Sequence, residues 1–288
     1  MSSPTMSIAQ FERLRKLIYE KSGIWFADNK KYLLEARLGR RLLELEIDDF
    51  DQYVSFMTMG PYRDDEFNEM FSRITINETS FFRNGPQLDV FEKKILPEIV
   101  EKRKNMRQLR IWSAACSTGE EPYTLGIIAS RVLGFRAKEW TVQIFGSDIS
   151  ERAIRIARAG RYPSLSLRSV PPAIVQKYFH EANGFNQIDP EIQAMVTFGR
   201  LNLKDRLAAR RYGVWDVIFC RNVMIYFDQD MKDQSLELFA SVLAPDGALL
   251  VGHSESFRNN AHFVARSEPQ GFAYARVQGS GGVLRNAA

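Results

Sequence analysis

From Arg107 to the end of the chain, short runs rich in β-branched and aromatic residues alternate with stretches of helical periodicity, and this alternation restricts the fold more than any other feature. Residues 109–114, 141–146, 196–201, 216–220 and 248–252 read as strands, and residues 120–133, 151–159 and 231–243 as helices. A strand lies parallel to its predecessor only through a crossover, which a helix supplies. Repeated strand–helix units therefore predict a mostly parallel sheet covered on both faces. The last strands differ. Residues 263–267 and 272–277 are separated by a turn around Pro269-Gln270-Gly271, which predicts an antiparallel hairpin at one edge. Between Arg161 and Thr197 strand signals are weak: 170–179 reads as a helix led by Pro171-Pro172, and the turn-rich 183–190 as a small hairpin off the main sheet.

The front of the chain carries no strand pattern. Phe11, Leu14, Leu17 and Ile18 recur at helical spacing, as do Leu34, Leu38, Leu42 and Leu45 within 30–46. Further helices are predicted over 48–59, ended by Gly60-Pro61, and over 64–72. The expected organisation is an all-α domain over 1–76, a linker and connecting helix over 77–106, and an α/β domain over 107–278 with a small β-subdomain inserted at about 161–196. The Gly/Ser-rich 279–288 is expected to be a disordered tail.

No apolar run approaches the roughly 20 residues of a membrane-spanning helix, and Met1 to Gln10 lack the basic-then-apolar pattern of a signal peptide. A cytoplasmic protein with no membrane insertion is expected. The net charge of +4 suits an acidic partner without demanding nucleic acid. Cys116 and Cys220 are expected to be buried free thiols, and the scattered His180, His253 and His262 argue against a metal centre.

The strongest chemical signal is Ile111-Trp112-Ser113-Ala114-Ala115-Cys116-Ser117-Thr118-Gly119-Glu120-Glu121-Pro122-Tyr123: a strand, a turn of small residues, and a helix that opens with two carboxylates. Small residues let a ligand approach the backbone. Only one of the three glycines of a dinucleotide fingerprint is present, and two acids at the helix start disfavour a pyrophosphate. A cationic ligand fits better. S-adenosylmethionine carries a sulfonium and an ammonium, with which Glu120 could pair, although both acids could equally serve the helix dipole. Asp148 ends the next strand, where an acidic residue hydrogen-bonds ribose hydroxyls or caps the following helix. A third element, Asp216 to Phe227, runs a buried strand into Arg221-Asn222 and then Tyr226; these border a ligand if that strand neighbours the first. Asn202-Leu203, ending the intervening strand, could flank the adenine in the same way.

Three segments together resemble the CheR-type chemotaxis receptor methyltransferases: Asn77-Glu78-Thr79-Ser80-Phe81-Phe82-Arg83, the turn from Ser113 to Tyr123, and Phe219-Cys220-Arg221-Asn222-Val223-Met224-Ile225-Tyr226-Phe227. The resemblance covers nearly the whole chain. It implies a helical N-terminal domain joined to a Rossmann-like methyltransferase domain with a small β-subdomain, and transfer of methyl groups from S-adenosylmethionine to receptor glutamates. By the same resemblance Asn77, Thr79 and Arg83 belong to a linker that folds over the cofactor. Glu120 and Asp148 hold its methionine and ribose portions, Asn202, Leu203, Arg221 and Asn222 surround the adenosyl group, and Arg83 and Tyr226 stand near the transferring methyl. The chemistry agrees with this inventory. A glutamate carboxylate is already an anion at neutral pH and needs no general base, so positioning dominates.

Chemoreceptor methylation regions are glutamate-bearing helical bundles. A partner surface of Lys30, Arg37, Arg40 and Arg41 on the 30–46 helix is expected, against the alternative of an ordinary solvated face that includes Glu35, Glu44 and Glu46. Some members of the family tether to a receptor's C-terminal peptide through the β-subdomain. The short 181–196 here predicts a tether-independent enzyme, and a monomer is expected. Competing readings are a methyltransferase for another acceptor such as nucleic acid, and a non-catalytic S-adenosylmethionine-binding signalling module. Arg221-Asn222-Val223-Met224 in place of an Asn-Pro-Pro-Tyr motif weakens the first.

Overall fold

The computed structural model describes residues 4–59, 63–75, 78–258 and 260–277. The expected stop at Gly60-Pro61, the candidate Asn77 and the tail from Gly279 lie outside the described residues. Helices α1 (Ile8–Ser22), α2 (Lys31–Glu44), α3 (Phe50–Met59) and α4 (Arg63–Ile74) enclose an apolar core of their own, with Leu14, Ile18, Leu34, Leu38, Leu42 and Phe50 fully buried. α1 starts at a reciprocal cap in which Ser7 Oγ accepts from Gln10 N and Gln10 Oε1 accepts from Ser7 N. It stops at Gly23, whose φ of 77° is the left-handed conformation that glycine adopts without steric cost. A Cβ on Gly23 would stand 2.6 Å from the Met231 sulfur, so the residue also lets the helical domain close on the α/β domain.

α5 (Gly85–Val90), a π-helical stretch (Phe91–Ile95) and α6 (Leu96–Lys102) carry the chain into the sheet. The main strands are β1 (Gln108–Ala114), β2 (Thr141–Asp148), β6 (Val196–Arg200), β7 (Trp215–Cys220) and β8 (Leu243–Val251), followed by the hairpin strands β9 (Phe263–Ala265) and β10 (Ala273–Arg276). Their order is β6-β2-β1-β7-β8-β10-β9, parallel from β6 to β8 and antiparallel from β8 to β9. Every residue of β7 is buried, as a strand covered on both faces requires. The covering helices are α7 (Glu120–Leu133), α8 (Glu151–Ala159), α10 (Pro190–Ala194), α11 (Arg206–Arg210) and α12 (Gln229–Val242). A separate sheet of order β3-β5-β4 is built from β3 (Arg161–Tyr162), β4 (Phe179–Ala182) and β5 (Phe185–Ile188), with α9 (Pro172–Tyr178) leading into β4. Its hairpin turns on Asn183 and Gly184, both at positive φ.

Two features of the fold are not legible in the sequence. β8 begins at Leu243, without a loop after α12. Leu243 pairs with Trp215 and Ala248 with Val217, so the polar Pro245-Asp246-Gly247 is absorbed as an irregularity in the strand. Asp246 there accepts from Arg103 Nη1 and Nη2 at 2.8 and 2.6 Å. The second concerns the expected partner surface. Arg41 turns inward, and its Nη2 and Nε donate to Glu66 at 2.6 and 3.1 Å. Glu66, only 3% exposed, also accepts from Tyr53 Oη at 2.6 Å. Arg41 is therefore an internal counter-ion, because a buried carboxylate needs a cationic hydrogen-bonded partner more than the surface needs another charge. Arg40, 84% exposed, stays outside.

This pair sets a stability prediction. Arg41→Ala leaves Glu66 buried without its counter-ion, and urea denaturation should show a loss of about 3 kcal/mol. A change indistinguishable from that of Arg40→Ala would show that Glu66 is satisfied without Arg41.

Candidate active site

The chain passes from β1 to β2 and β6 on one side of the sheet and then returns to place β7 on the other side of β1. Connections leaving β1 and β7 diverge at that point and open a crevice at the carboxyl ends of the strands. The turn after β1 descends into it. Ala115 and Ser117 both have positive φ, a conformation costing about 1 kcal/mol or more for a residue with a Cβ. Cys116 N donates to Ser147 O and Ser117 N to Asp148 Oδ2, each at 2.8 Å, and these bonds hold the turn against β2. Gly119, at φ 93°, opens α7; a Cβ there would lie 2.7 Å from that of Ala157.

Two cavities meet on Ala115, Ser117 and Asn222. The larger, about 400 Å³, is a mostly apolar cleft reached by Asp148, Leu201, Asn202, Leu203 and Tyr226 from the α/β domain. Trp25, Lys30 and Arg37 from the helical domain form its opposite wall. The smaller, about 50 Å³, is lined by Glu78, Thr79, Ser80, Arg83, Glu121 and Arg221. Ser117 Oγ and Arg221 Nε are buried there without a hydrogen-bond partner among the described residues. Such atoms are costly unless something else meets them.

The site residues expected from sequence separate into those that reach these cavities and those that do not. Asp148 does, with Oδ1 accepting from Ser150 N at 2.9 Å; the expected helix cap is not Asp148 but Ser150, whose Oγ accepts from Ala153 N at 3.2 Å, and Asp148 holds that capping residue in place. Burial pushes its carboxyl above the ordinary range, against the lowering effect of the Ser150 and Ser117 N–H groups. Arg221, 8% exposed, donates to Glu121 Oε2 at 3.0 Å and to Arg83 O at 2.7 Å. Arg83 Nη1 donates to Glu78 O at 2.7 Å, which braces the segment carrying both. Tyr226 is half-buried; burial raises its phenol, and the nearby Arg37 and Arg83 charges act in the opposite sense. The phenol is therefore a neutral hydrogen-bond donor at neutral pH.

Glu120 lies elsewhere. The residue is 3% exposed, its carboxylate accepts from Thr118 Oγ1 at 2.7 Å and Ser166 Oγ at 3.1 Å, and burial raises its pKa. The acid that lines the smaller cavity is its neighbour Glu121, which also accepts from Ser113 Oγ at 2.7 Å. Successive helical residues point about 100° apart, so the sequence offers two candidates and no means of orienting them. Asn202 lines the cleft, yet its Nδ2 donates to Lys21 O at 2.6 Å, making it also a cap for the end of α1. Among the described residues no group of His, Cys, Asp and Glu could hold a metal ion, both cysteines are free and buried, and no helix is long and apolar enough to cross a membrane.

Comparison with known proteins matches the chain to one family. Residues 77–272 match the CheR methyltransferase, SAM binding domain, and residues 9–75 match the CheR methyltransferase, all-alpha domain. The chain is 36% identical over 261 residues to the chemotaxis protein methyltransferase of Salmonella typhimurium, covering 88% of this chain and 86% of the relative. Against the Escherichia coli protein of that name it is 36% identical over 259 residues, covering 88% and 86%. The Borreliella burgdorferi protein is 35% identical over 256 residues, covering 87% and 89%.

The raised Asp148 pKa has a measurable consequence. The folded state holds its proton more tightly than the unfolded chain, so its contribution to stability is full below the unfolded carboxylate pKa and is lost as pH rises through the folded value. Asp148→Asn removes that loss. Between pH 4 and 7 the difference in unfolding free energy between variant and wild type should grow in favour of the variant, by roughly 1.4 kcal/mol for each pH unit that separates the unfolded from the folded pKa. A flat difference across that range would mean that the carboxylate is not destabilised by burial.

Proposed function

The chain belongs to the CheR methyltransferase family and is an S-adenosylmethionine-dependent methyltransferase, and from that premise we propose that it esterifies glutamate side chains in the cytoplasmic helical region of chemoreceptors. The products are glutamate methyl esters and S-adenosylhomocysteine. The observation that carries the reading is the junction of the two cavities on Ala115, Ser117 and Asn222, with Arg83 at one side and Tyr226 at the other.

The crevice suits an adenosyl group. Asp148 offers a carboxylate to ribose hydroxyls, Leu201 and Leu203 offer apolar contact to a base, and Ser117 Oγ is a buried polar atom awaiting a partner. Thr79, Glu121, Arg221 and Asn222 would hold the amino-acid end, with Glu121 facing the ammonium in place of the deeper Glu120. Asn202 keeps its place beside the adenine while capping α1. Bound S-adenosylmethionine supplies an electrophilic methyl carbon on a positively charged sulfur.

The chain's own residues then have one task, which is to aim a carboxylate. Arg83, braced at Nη1, presents a forked set of donors to the acceptor oxygens. The neutral Tyr226 phenol adds a donor that orients the carboxylate without neutralising it. No proton has to be removed, because the acceptor is ionised at neutral pH. Orientation of this kind contributes up to roughly 7–11 kcal/mol to bimolecular reactions. Lys30, Arg37 and Arg40 border the cleft and the outer face of α2, and would face the acidic receptor bundle. The small sheet presents a short β4–β5 hairpin, and an enzyme that works without a receptor peptide tether is the reading it favours; micromolar affinity for such a peptide would count against it.

The test is to mix the protein with methyl-labelled S-adenosylmethionine and membranes that contain chemoreceptors, and to follow methyl groups released as methanol in mild alkali. Base-labile label on the receptor band is expected. Label that resists alkali would exclude a carboxyl ester. Arg83→Ala should lower turnover at least a hundredfold with an unchanged melting curve, and undiminished turnover would remove Arg83 from the mechanism.

A further inference from the structure

The loop after β8 carries a carboxylate that the chemistry above does not use. Glu255 is 8% exposed, and its oxygens face backbone amides contributed by two separate segments. Oε2 accepts from Asn222 N at 2.6 Å and from Gly252 N at 2.8 Å. Oε1 accepts from Val223 N at 2.8 Å and from Ile225 N at 3.3 Å. The segment held in this way is the turn that follows β7, which bears Arg221, Asn222 and Tyr226.

That turn does not hold its shape by local bonding alone. Asn222 sits at φ +60°, a left-handed conformation disfavoured for a residue with a Cβ. A cluster of N–H groups pointing at one spot is a concave anion site, and here the anion is supplied by the protein itself. Bonds from N–H to an ionised carboxylate are roughly twice as strong as neutral ones. A carboxylate offers enough lone pairs for every donor, whereas an amide in its place presents an NH2 group to some of them. Gly252 leaves room for this arrangement, since a Cβ there would stand 2.3 Å from Oε2.

Asn222 lines both the cofactor cleft and the smaller cavity, and it also borders an outer groove with Arg83, Arg221 and His253. We propose that Glu255 is a positioning residue for methyl transfer: its carboxylate fixes the Arg221–Tyr226 turn, so that Asn222 and Tyr226 face the reacting centre, without itself touching donor or acceptor. For its kinetic part this rests on the methyltransferase reading above.

Glu255→Gln tests the proposal beside Leu238→Ala, a truncation of a fully buried α12 residue that lowers stability without touching the turn. In amide nitrogen–proton spectra the Asn222, Val223 and Ile225 resonances should move in Glu255→Gln and stay in place in Leu238→Ala. Turnover of receptor methyl esters, measured well below either melting temperature, should fall at least tenfold in Glu255→Gln and less than threefold in Leu238→Ala. Gly252→Ala crowds the same carboxylate from the other side and should reproduce the loss, which covers the case in which Glu255→Gln does not fold. Unmoved amide resonances, or equal turnover losses in Glu255→Gln and Leu238→Ala, would overturn the proposal. A wild-type protein that binds S-adenosylhomocysteine but labels no receptor would count against the acceptor reading alone; the amide shifts, together with a weakening of that affinity in Glu255→Gln and not in Leu238→Ala, then decide the role of Glu255.

Discussion

The reversal of strand order between β1 and β7 is the constraint on which the site depends. Backbone hydrogen bonding fills the sheet up to the carboxyl ends of these strands, and beyond them the diverging connections leave open space. The turn after β1 enters that space because its residues are small. The conformational cost of Ala115 and Ser117 is offset by the bonds from Cys116 N and Ser117 N to the end of β2. One carboxylate, Asp148, thereby shapes the turn, holds the residue that caps the next helix and faces the cleft.

The other wall of the cleft comes from the helical domain, and its attachment uses the helix C-terminus as an electrostatic handle. The last carbonyls of α1 have no partners within the helix and carry partial negative charge. Lys204 Nζ donates to Tyr19 O and Glu20 O at 3.0 and 2.9 Å, and Asn202 Nδ2 donates to Lys21 O. Past Gly23 the chain pairs with the active-site turn itself, where Trp25 N donates to Tyr226 O at 2.8 Å and Ile24 bridges to Phe227. The turn that carries Tyr226 is thus gripped from the helical domain on one side and from Glu255 on the other.

What can be read from the sequence and what cannot divide along the range of the interactions involved. Helices α7 and α8 are legible to the residue, since periodicity and caps are local signals, and the five parallel strands are legible because each is an apolar run between turn residues. Asp148, Arg221 and Asn222 stand out because a polar residue at or just past the end of a buried strand marks the crevice end of the sheet, and Tyr226 follows in the same turn as Arg221 and Asn222. The inward partner of Arg41 is not legible, because Glu66 lies on another helix, and helical spacing from the leucine stripe does not reveal a buried acid elsewhere. The different surroundings of Glu120 and Glu121 are illegible for a related reason: Ser166, which donates to Glu120, belongs to the inserted subdomain. Glu255 leaves no sequence signal, because its partners are backbone amides that carry no residue identity.

The electrostatics of the cleft agree with the proposed reaction at a level beyond individual contacts. A sulfonium donor and a carboxylate acceptor carry opposite charges, whereas the thioether and ester they form at the reacting centre are neutral. Charge is lost along the reaction coordinate, so water, which solvates the separated ions best, favours the starting state. A largely apolar cleft weakens that preference, provided the ions are held by fixed groups and not by solvent. The fixed groups here are graded. Glu121 already has Arg221 as a partner, and Tyr226 is a neutral donor, which leaves Arg83 as the cation of the smaller cavity that would meet the acceptor, with Arg37 in the wall of the cleft. Arg83 and Arg37 are each tied to a backbone carbonyl, so each would orient an anion through its remaining donors, and a full forked pair with the acceptor would lower the nucleophilicity of the carboxylate and slow its attack.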